Sequence, residues 1–194
     1  MVYKNKVFLG DEIKGQEFND CQFIDCKFSN ANLRFTSFKN CEFKTCDMSA
    51  ATFNITSFAK SSFPESKLSN LDFSEISIKD CNFTRAVMAN CTFQQIKAGN
   101  KNSRKKFDLS NCRFEDTNLS GSIFFMSNLR GVSFRRANLE SVIFDRCDLI
   151  ETNLVNANIG GATFNESKVE KTKLNIDGFI AFGNSKGFVL DDFK

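Results

Sequence analysis

The sequence predicts an all-β solenoid in which units of five residues wind into coils of four units. Two repeating patterns predict this fold. A large apolar residue returns every five residues, and the residue two places before it is small. The same residue type also tends to return every twenty residues, as at Phe23, Phe43, Phe63 and Phe83. Coils stacked at the strand-pairing distance of about 4.8 Å would place these identical rings above one another.

The composition indicates one packed domain, residues 1–194. Hydrophobic residues make up 41% of the chain and charged residues 25%, which suits a globular core. The first residues lack the continuous apolar segment of a signal peptide, and no apolar run of about 18 residues predicts a membrane span. A formal net charge of +3 is too small by itself to indicate nucleic-acid binding. We therefore expect a cytoplasmic protein with no membrane partner, in which the cysteines are reduced thiols.

After an N-terminal lead of residues 1–7, the first repeat run covers residues 8–93. We call the recurring large apolar residue the centre of its unit and the position two residues earlier the small slot. Centres occupy every fifth position from Phe8 to Phe93. Most other small slots hold Ala, Ser or Thr, and Leu71 and Ile76 are bulky exceptions. All cysteines lie in small slots: Cys21, Cys26, Cys41, Cys46, Cys81, Cys91, Cys112 and Cys147. Cysteine is therefore interpreted as a small buried residue, and we predict no metal site and no cofactor.

The repeat is interrupted over residues 94–108, which we predict to be a projecting loop. This segment holds five cations and no acid before Asp108. One alternative is a solvated insertion without a role, and the other is a contact loop, since loops on rigid scaffolds often carry function. The candidate partner-binding residues are Lys97, Lys101, Arg104, Lys105 and Lys106.

The second run covers residues 109–179, one residue out of phase with the first, and ends with Phe179 as its last centre. Residues 180–194 are aperiodic and must cover the open edges of the last coil. Two roles remain open for this segment: a cap alone, or a cap that also forms an end-to-end dimer. The candidate residues for both roles are Phe179, Phe182, Phe188, Val189 and Leu190. On the outer surface, Phe35 and Ile55 are twenty positions apart and are expected to stack.

The sequence predicts no catalytic residues. It contains no histidine, which excludes Ser-His and Cys-His mechanisms. It also lacks the glycine-rich motifs that bind nucleotide phosphates. Because side chains fill the interior of the predicted solenoid, no cavity is expected to shelter a reaction. We therefore predict a binding protein and not an enzyme.

The units CQFID, CKFSN, ANLRF, CEFKT, CNFTR, ANLES and CDLIE resemble the pentapeptide-repeat family. The resemblance covers roughly residues 8–179 and implies a right-handed quadrilateral parallel β-helix, here of about eight coils. Within that family the chain is most similar to the quinolone-resistance (Qnr) and related topoisomerase-protecting proteins. The shared features are overall size, a lead ending in Gly10–Ile13, Phe- and Cys-rich first coils, a mid-chain interruption and a hydrophobic C-terminal segment.

This resemblance implies a homodimer, joined at its C-terminal end, that binds DNA gyrase or topoisomerase IV and protects it from quinolones or peptide toxins. A DNA mimic should be strongly acidic, whereas this rod is nearly neutral once the five loop cations are set aside. The charge therefore favours recognition by shape and by loop contacts. The alternatives are a passive interaction scaffold or effector with no topoisomerase link and, more weakly, direct nucleic-acid binding through the loop.

Overall fold

The computed structural model describes residues 1–74, 76–94 and 106–191, and confirms the predicted right-handed parallel β-helix of about eight coils. Because each unit turns a corner after a few residues, the strands are only two or three residues long. The strands are β1 Val2–Lys4, β2 Glu17–Asn19, β3 Gln22–Ile24, β4 Ser37–Lys39, β5 Glu42–Lys44, β6 Ser57–Ala59, β7 Ser77–Lys79, β8 Thr92–Phe93, β9 Phe107–Asp108, β10 Ile123–Phe125, β11 Ser127–Asn128, β12 Ile143–Asp145 and β13 Thr163–Asn165. A helix, α1, follows at Ile176–Ser185.

The strand pairings are parallel and join residues one coil apart. Phe18 lies opposite Phe38, and Phe38 lies opposite Phe58, an offset of twenty positions. Across the interruption the offset becomes thirty-one, as between Phe93 and Phe124. The interruption therefore inserts eleven residues at one corner and leaves the register of the coils intact. This insertion explains why the second run is one residue out of phase with the first.

Centres fill the interior in columns of stacked rings. In one column, successive centroids from Phe23 through Phe134 are 4.8–5.2 Å apart, with ring planes within 14° of parallel. Tyr3 extends this column, because β1 pairs with β3 and the Tyr3 ring stacks on Phe23 at 5.0 Å. The core therefore begins within the segment that the sequence assigned to a lead.

At most corners, the second residue after a centre has a left-handed backbone conformation. Asp20 and Asn40 have φ values of 53° and 54° there. The amide that follows donates back to the carbonyl of the centre, as from Ala31 to Phe28 at 2.9 Å, which closes a turn of type II character. Asn before a centre accepts the amide two residues on, as Asn138 does from Glu140 at 3.2 Å. This bond accounts for the recurrent Ala-Asn-Leu units.

Many side chains in the small slots are hydrogen-bond donors as well as small. The Ser66 hydroxyl donates to the carbonyl of Phe43, a centre of the preceding coil, at 2.7 Å. The Cys46 thiol makes the equivalent bond to the Phe23 carbonyl at 3.3 Å. Since a buried carbonyl without a partner is costly, Ser, Thr and Cys suit this slot for a reason beyond size.

The second run ends earlier than the sequence predicts. The chain leaves the last coil after Leu174, Asn175 is the N-cap of α1, and Phe179 lies on the helix with 69% of its surface exposed. The prediction that Phe179 is the last centre is therefore wrong. Ile176, Phe179 and Ile180 follow a helical spacing of three and four residues, and Phe179 fits the five-residue count by coincidence.

Candidate interaction surfaces

The predicted contact loop lies mainly outside the described residues. Lys97, Lys101, Arg104 and Lys105 all belong to that undescribed part of the chain. The fifth predicted cation, Lys106, lies on the rod, where its Nζ is 3.8 Å from Asp148 Oδ2.

The predicted loop boundary at Asp108 is wrong, because β9 already pairs with β11 at Phe107. Phe107 fills a small slot and is buried, with its ring centroid 6.5 Å from that of Phe93. Because Phe is not a small residue, the repeat pattern did not recognise it as the start of the returning coil.

Helix α1 closes the C-terminal end of the core. The Phe182 ring meets the Phe164 ring edge-to-face at 5.1 Å, and Gly178 is buried against Leu174. In earlier coils the carbonyl of a centre accepts a bond from the small slot of the next coil. At the last coil Lys186 Nζ supplies that donor to the Phe164 carbonyl at 3.0 Å. The helix and Lys186 therefore satisfy an edge that would otherwise stay open.

The other face of α1 is apolar and exposed. The side chains of the helix and the following tail enclose a cleft of about 350 Å³. All five predicted C-terminal residues line it: Phe179, Phe182, Phe188, Val189 and Leu190. Phe182 turns towards the rod, whereas the other four are between 64% and 89% exposed. The structure thus brings the predicted residues together around one cleft. Phe182 belongs to the capping face, and the four exposed residues form an outward face, which we call the C-terminal apolar surface.

Gly187 positions the tail against the helix. Its φ of +83° is a left-handed conformation that favours glycine, and the Phe188 amide donates to the Gly183 carbonyl at 3.0 Å. The Gly187 amide donates to the Asn184 carbonyl, which completes a Schellman-type ending. This turn brings Phe188 back over Gly183, where it forms one wall of the cleft. The Lys-Gly pair after an apolar segment was the sequence signal for this helix end.

Charged residues on the corners pair along the rod axis. Arg136 binds Asp116 of the preceding coil through two bonds of 2.7 and 2.8 Å. The hydrogen bond from Arg136 lowers the pKa of the Asp116 carboxyl. Arg146 pairs in the same way with Glu166 at 2.9 Å. Because these acids are matched by arginines one coil away, their columns do not form the continuous acidic stripe that a DNA mimic requires.

The eight cysteines are buried in the positions that the sequence predicts. Burial raises the pKa of Cys46 and Cys112 to about 12 and that of Cys81 to about 11. Such thiols stay protonated near neutral pH and are poor nucleophiles and poor metal ligands. The described residues contain no group of three or more His, Cys, Asp or Glu side chains arranged to hold a metal ion.

In the part of the chain that the structure describes, no helix is long and apolar enough to cross a bilayer.

Comparison with known proteins identifies the repeat. The family model for the pentapeptide repeat region matches residues 16–93 and 104–174. No match is found among the curated proteins.

Solved structures with similar chains are distant. Full-length QnrB1, a plasmid-mediated fluoroquinolone resistance protein, is 17% identical with a TM-score of 0.43, over 97% of this chain and 100% of QnrB1. HetL, a pentapeptide repeat protein involved in heterocyst differentiation regulation from the cyanobacterium Nostoc sp. strain PCC 7120, is 14% identical with a TM-score of 0.45, over 88% of each chain. These likenesses are too distant to transfer a function.

Proposed function

Because the chain belongs to the pentapeptide-repeat family, we propose that it is a non-enzymatic cytoplasmic protein whose homodimer binds a type II topoisomerase. The partner is DNA gyrase or topoisomerase IV, and binding protects it from quinolones or peptide toxins. The observation that carries the binding role is the contrast between a ring-filled interior and the exposed C-terminal apolar surface. Centres such as Phe43 and Phe124 are completely buried, so ring side chains occupy the interior of the described coils and binding would use their outer surfaces.

The C-terminal apolar surface supports the homodimer. Phe179, Phe188, Val189 and Leu190 are more than half exposed and adjacent to one another around one cleft. Exposed apolar patches of this kind mark interaction sites. Two copies related by a two-fold axis would cover the same surface on each other, so one patch is sufficient for a closed dimer. The tail of one copy would then cover the cleft of its partner.

The topoisomerase partner rests on the features shared with Qnr-type sequences. The Gly10–Ile13 motif, the Phe- and Cys-rich first coils and the eleven-residue insertion in the register all occur in one chain of similar size. The paired charges of the corners favour recognition by shape over acidic mimicry of DNA. The four loop cations outside the described residues supply a long-range attraction to an acidic partner or to phosphates.

The test is a supercoiling assay with purified DNA gyrase and a quinolone. We expect the protein to restore supercoiling in a concentration-dependent way at a fixed drug concentration. A heat-unfolded sample is the control for non-specific protein effects. If the folded protein neither restores supercoiling nor binds gyrase or topoisomerase IV, the topoisomerase role is wrong. The chain is then better described by the alternative, a passive interaction scaffold or effector with no topoisomerase link.

A further inference from the structure

The last coil of the rod leaves part of its core uncovered. Val169 is the most exposed centre in the described chain, with 37% of its surface exposed. The chain leaves the coil after Leu174 to form α1, so the column of Val169 ends without a following coil. Val169 borders a cleft of about 240 Å³ together with Thr172, Leu174 and Phe179. We call it the last-coil cleft.

The backbone edge beside Val169 is open as well. In the preceding coil the Leu149 amide donates to the Lys168 carbonyl at 2.8 Å, and the Glu151 amide donates to the Glu170 carbonyl at 2.9 Å. The amides at the equivalent positions of the last coil have no further coil to supply carbonyls. An open strand edge favours an added extended segment, which provides hydrogen-bond acceptors and apolar side chains together.

A lysine without a matching acid stands on this edge. Lys173 is exposed and pairs in register with Asn153, so its neighbour on the preceding coil is uncharged. It makes no ion pair among the described residues. The acids Glu151 and Glu170 lie instead beside Lys171, on the same corner and next in the chain. An occupant of the cleft with a carboxylate near Lys173 would therefore gain an attraction.

The chain's own tail lies on the other side of α1. Phe188, Val189 and Leu190 line the cleft of about 350 Å³, and none of them lines the last-coil cleft. Phe179 and Phe182 line both clefts, which places α1 between them. A second copy can reach the last-coil cleft, because Phe179 makes that cleft continuous with the C-terminal apolar surface.

The proposed homodimer also needs the additional area. A stable interface buries roughly 800 Å² on each partner. A large aromatic side chain contributes about 150–250 Å² when fully buried. The four residues of the C-terminal apolar surface are between 64% and 89% exposed, so together they do not reach that area.

We propose that the tail of the second copy, residues 188–191, continues past α1 and docks along the open edge of the last coil. The partner's Leu190 covers Val169, and the carboxylate of the partner's Asp191 pairs with Lys173. This inference rests on the proposed homodimer. Each site is incomplete without the second copy, because one copy supplies the cleft and the lysine while the other supplies the apolar side chain and the carboxylate.

The first test reverses charges in the full chain and measures the dimer dissociation constant by sedimentation equilibrium. Lys173→Glu and Asp191→Lys should each raise it about tenfold, because a two-fold dimer contains the pair twice and each reversal replaces attraction with repulsion. Combining the two substitutions should restore most of the affinity. The matched control is Lys44→Glu, which changes an exposed lysine on the same face near the other end of the rod and should leave the dimer unchanged.

The second test concerns the apolar contact. Val169→Ser should weaken the dimer, whereas Val87→Ser should not, although Val87 is 39% exposed and lies midway along the rod. Circular dichroism checks that both variants are folded. The charge reversals decide the question if Val169→Ser disturbs the last coil.

Carbodiimide cross-linking of mixed isotope-labelled and unlabelled copies shows which chains are joined. Amide cross-links between Lys173 and Asp191 should connect a labelled chain to an unlabelled one. If the wild type is a monomer, the proposed homodimer and this inference both fail. If it is a dimer that the charge reversals leave unchanged, or if the cross-links join residues of one chain only, the homodimer stands and this inference is wrong.

Discussion

Replacing Phe43 with Ala tests the stacked core most directly. Phe43 is completely buried, with the rings of Phe23 and Phe63 stacked on its two faces at 4.8 and 4.9 Å. Phe38 meets it edge-to-face at 5.1 Å. Loss of a buried Phe costs about 3–5 kcal/mol, and the cost is highest where the site cannot collapse.

The coils around Phe43 are held apart by their ladders, so the cavity should persist. The Phe43 amide donates to the Ser62 carbonyl at 2.8 Å, and the Glu42 amide donates to the Cys21 carbonyl at 2.9 Å. We therefore expect a loss near the upper end, about 4–5 kcal/mol. For a domain of this size that loss lowers the melting temperature by about 10–20 °C.

Urea unfolding followed by circular dichroism gives the free energy of unfolding of each variant. Phe35→Ala is the matched control, because Phe35 is a corner residue that is about half exposed. It should change the stability by less than about 1 kcal/mol. Equal losses of unfolding free energy for Phe43→Ala and Phe35→Ala would refute the assignment of inner and outer positions.

Three further predictions concern the loop, the thiols and the C-terminal end. A variant with Ser at Lys97, Lys101, Arg104 and Lys105 should bind the topoisomerase more weakly and with a smaller salt dependence, at an unchanged melting temperature. The control Lys106→Ser, on the rod, should change binding little. If the fourfold variant still protects the topoisomerase fully, the loop is an insertion without a role in binding. Thiol titration in denaturant without reductant should detect eight free thiols. Alkylation of the native protein at pH 7 should be slow, because burial raises the Cys46 pKa to about 12. Stoichiometric zinc binding would contradict the assignment of the cysteines to the core. Phe188→Ser with Val189→Ser should give a monomer in light scattering, while Val7→Ser, at the opposite end and 48% exposed, should leave a dimer; an unchanged dimer would place the interface elsewhere.

Periodicity predicted the interior of the rod because each inner position meets the same neighbours in every coil. Phe18, Phe38 and Phe58 pair as the count of twenty requires. A repeat contacts only adjacent repeats, so local sequence is enough to fix its place. The same reasoning located the cysteines in small slots. It missed their hydrogen bonds, because Ser, Thr and Cys are both small and able to donate, so the sequence pattern does not separate the two requirements.

The ends of the repeat runs were not predictable in the same way. A count in fives continues through any apolar residue that falls in phase, and Phe179 does so although it lies on α1. At Phe107 the reverse happened, because an aromatic residue took a slot that mostly holds small residues. Ends and interruptions lack a neighbour on one side, so their packing depends on contacts that the repeat does not encode. The sequence did indicate which C-terminal residues cluster, since Phe188 and Leu190 had no inner position to fill.

The departures from the repeat are where function should be sought, and they differ in what they cost the fold. Lys186 departs from the repeat and satisfies the Phe164 carbonyl, so its role is accounted for by the cap. The C-terminal apolar surface exposes side chains but strains no described backbone apart from Gly187, where glycine fits. Ile55 exposes an apolar side chain and strains its backbone as well, with no compensating bond from its own side chain. An exposed apolar residue whose backbone strain is not offset by a bond of its own side chain is a first place to look for a contact outside the fold.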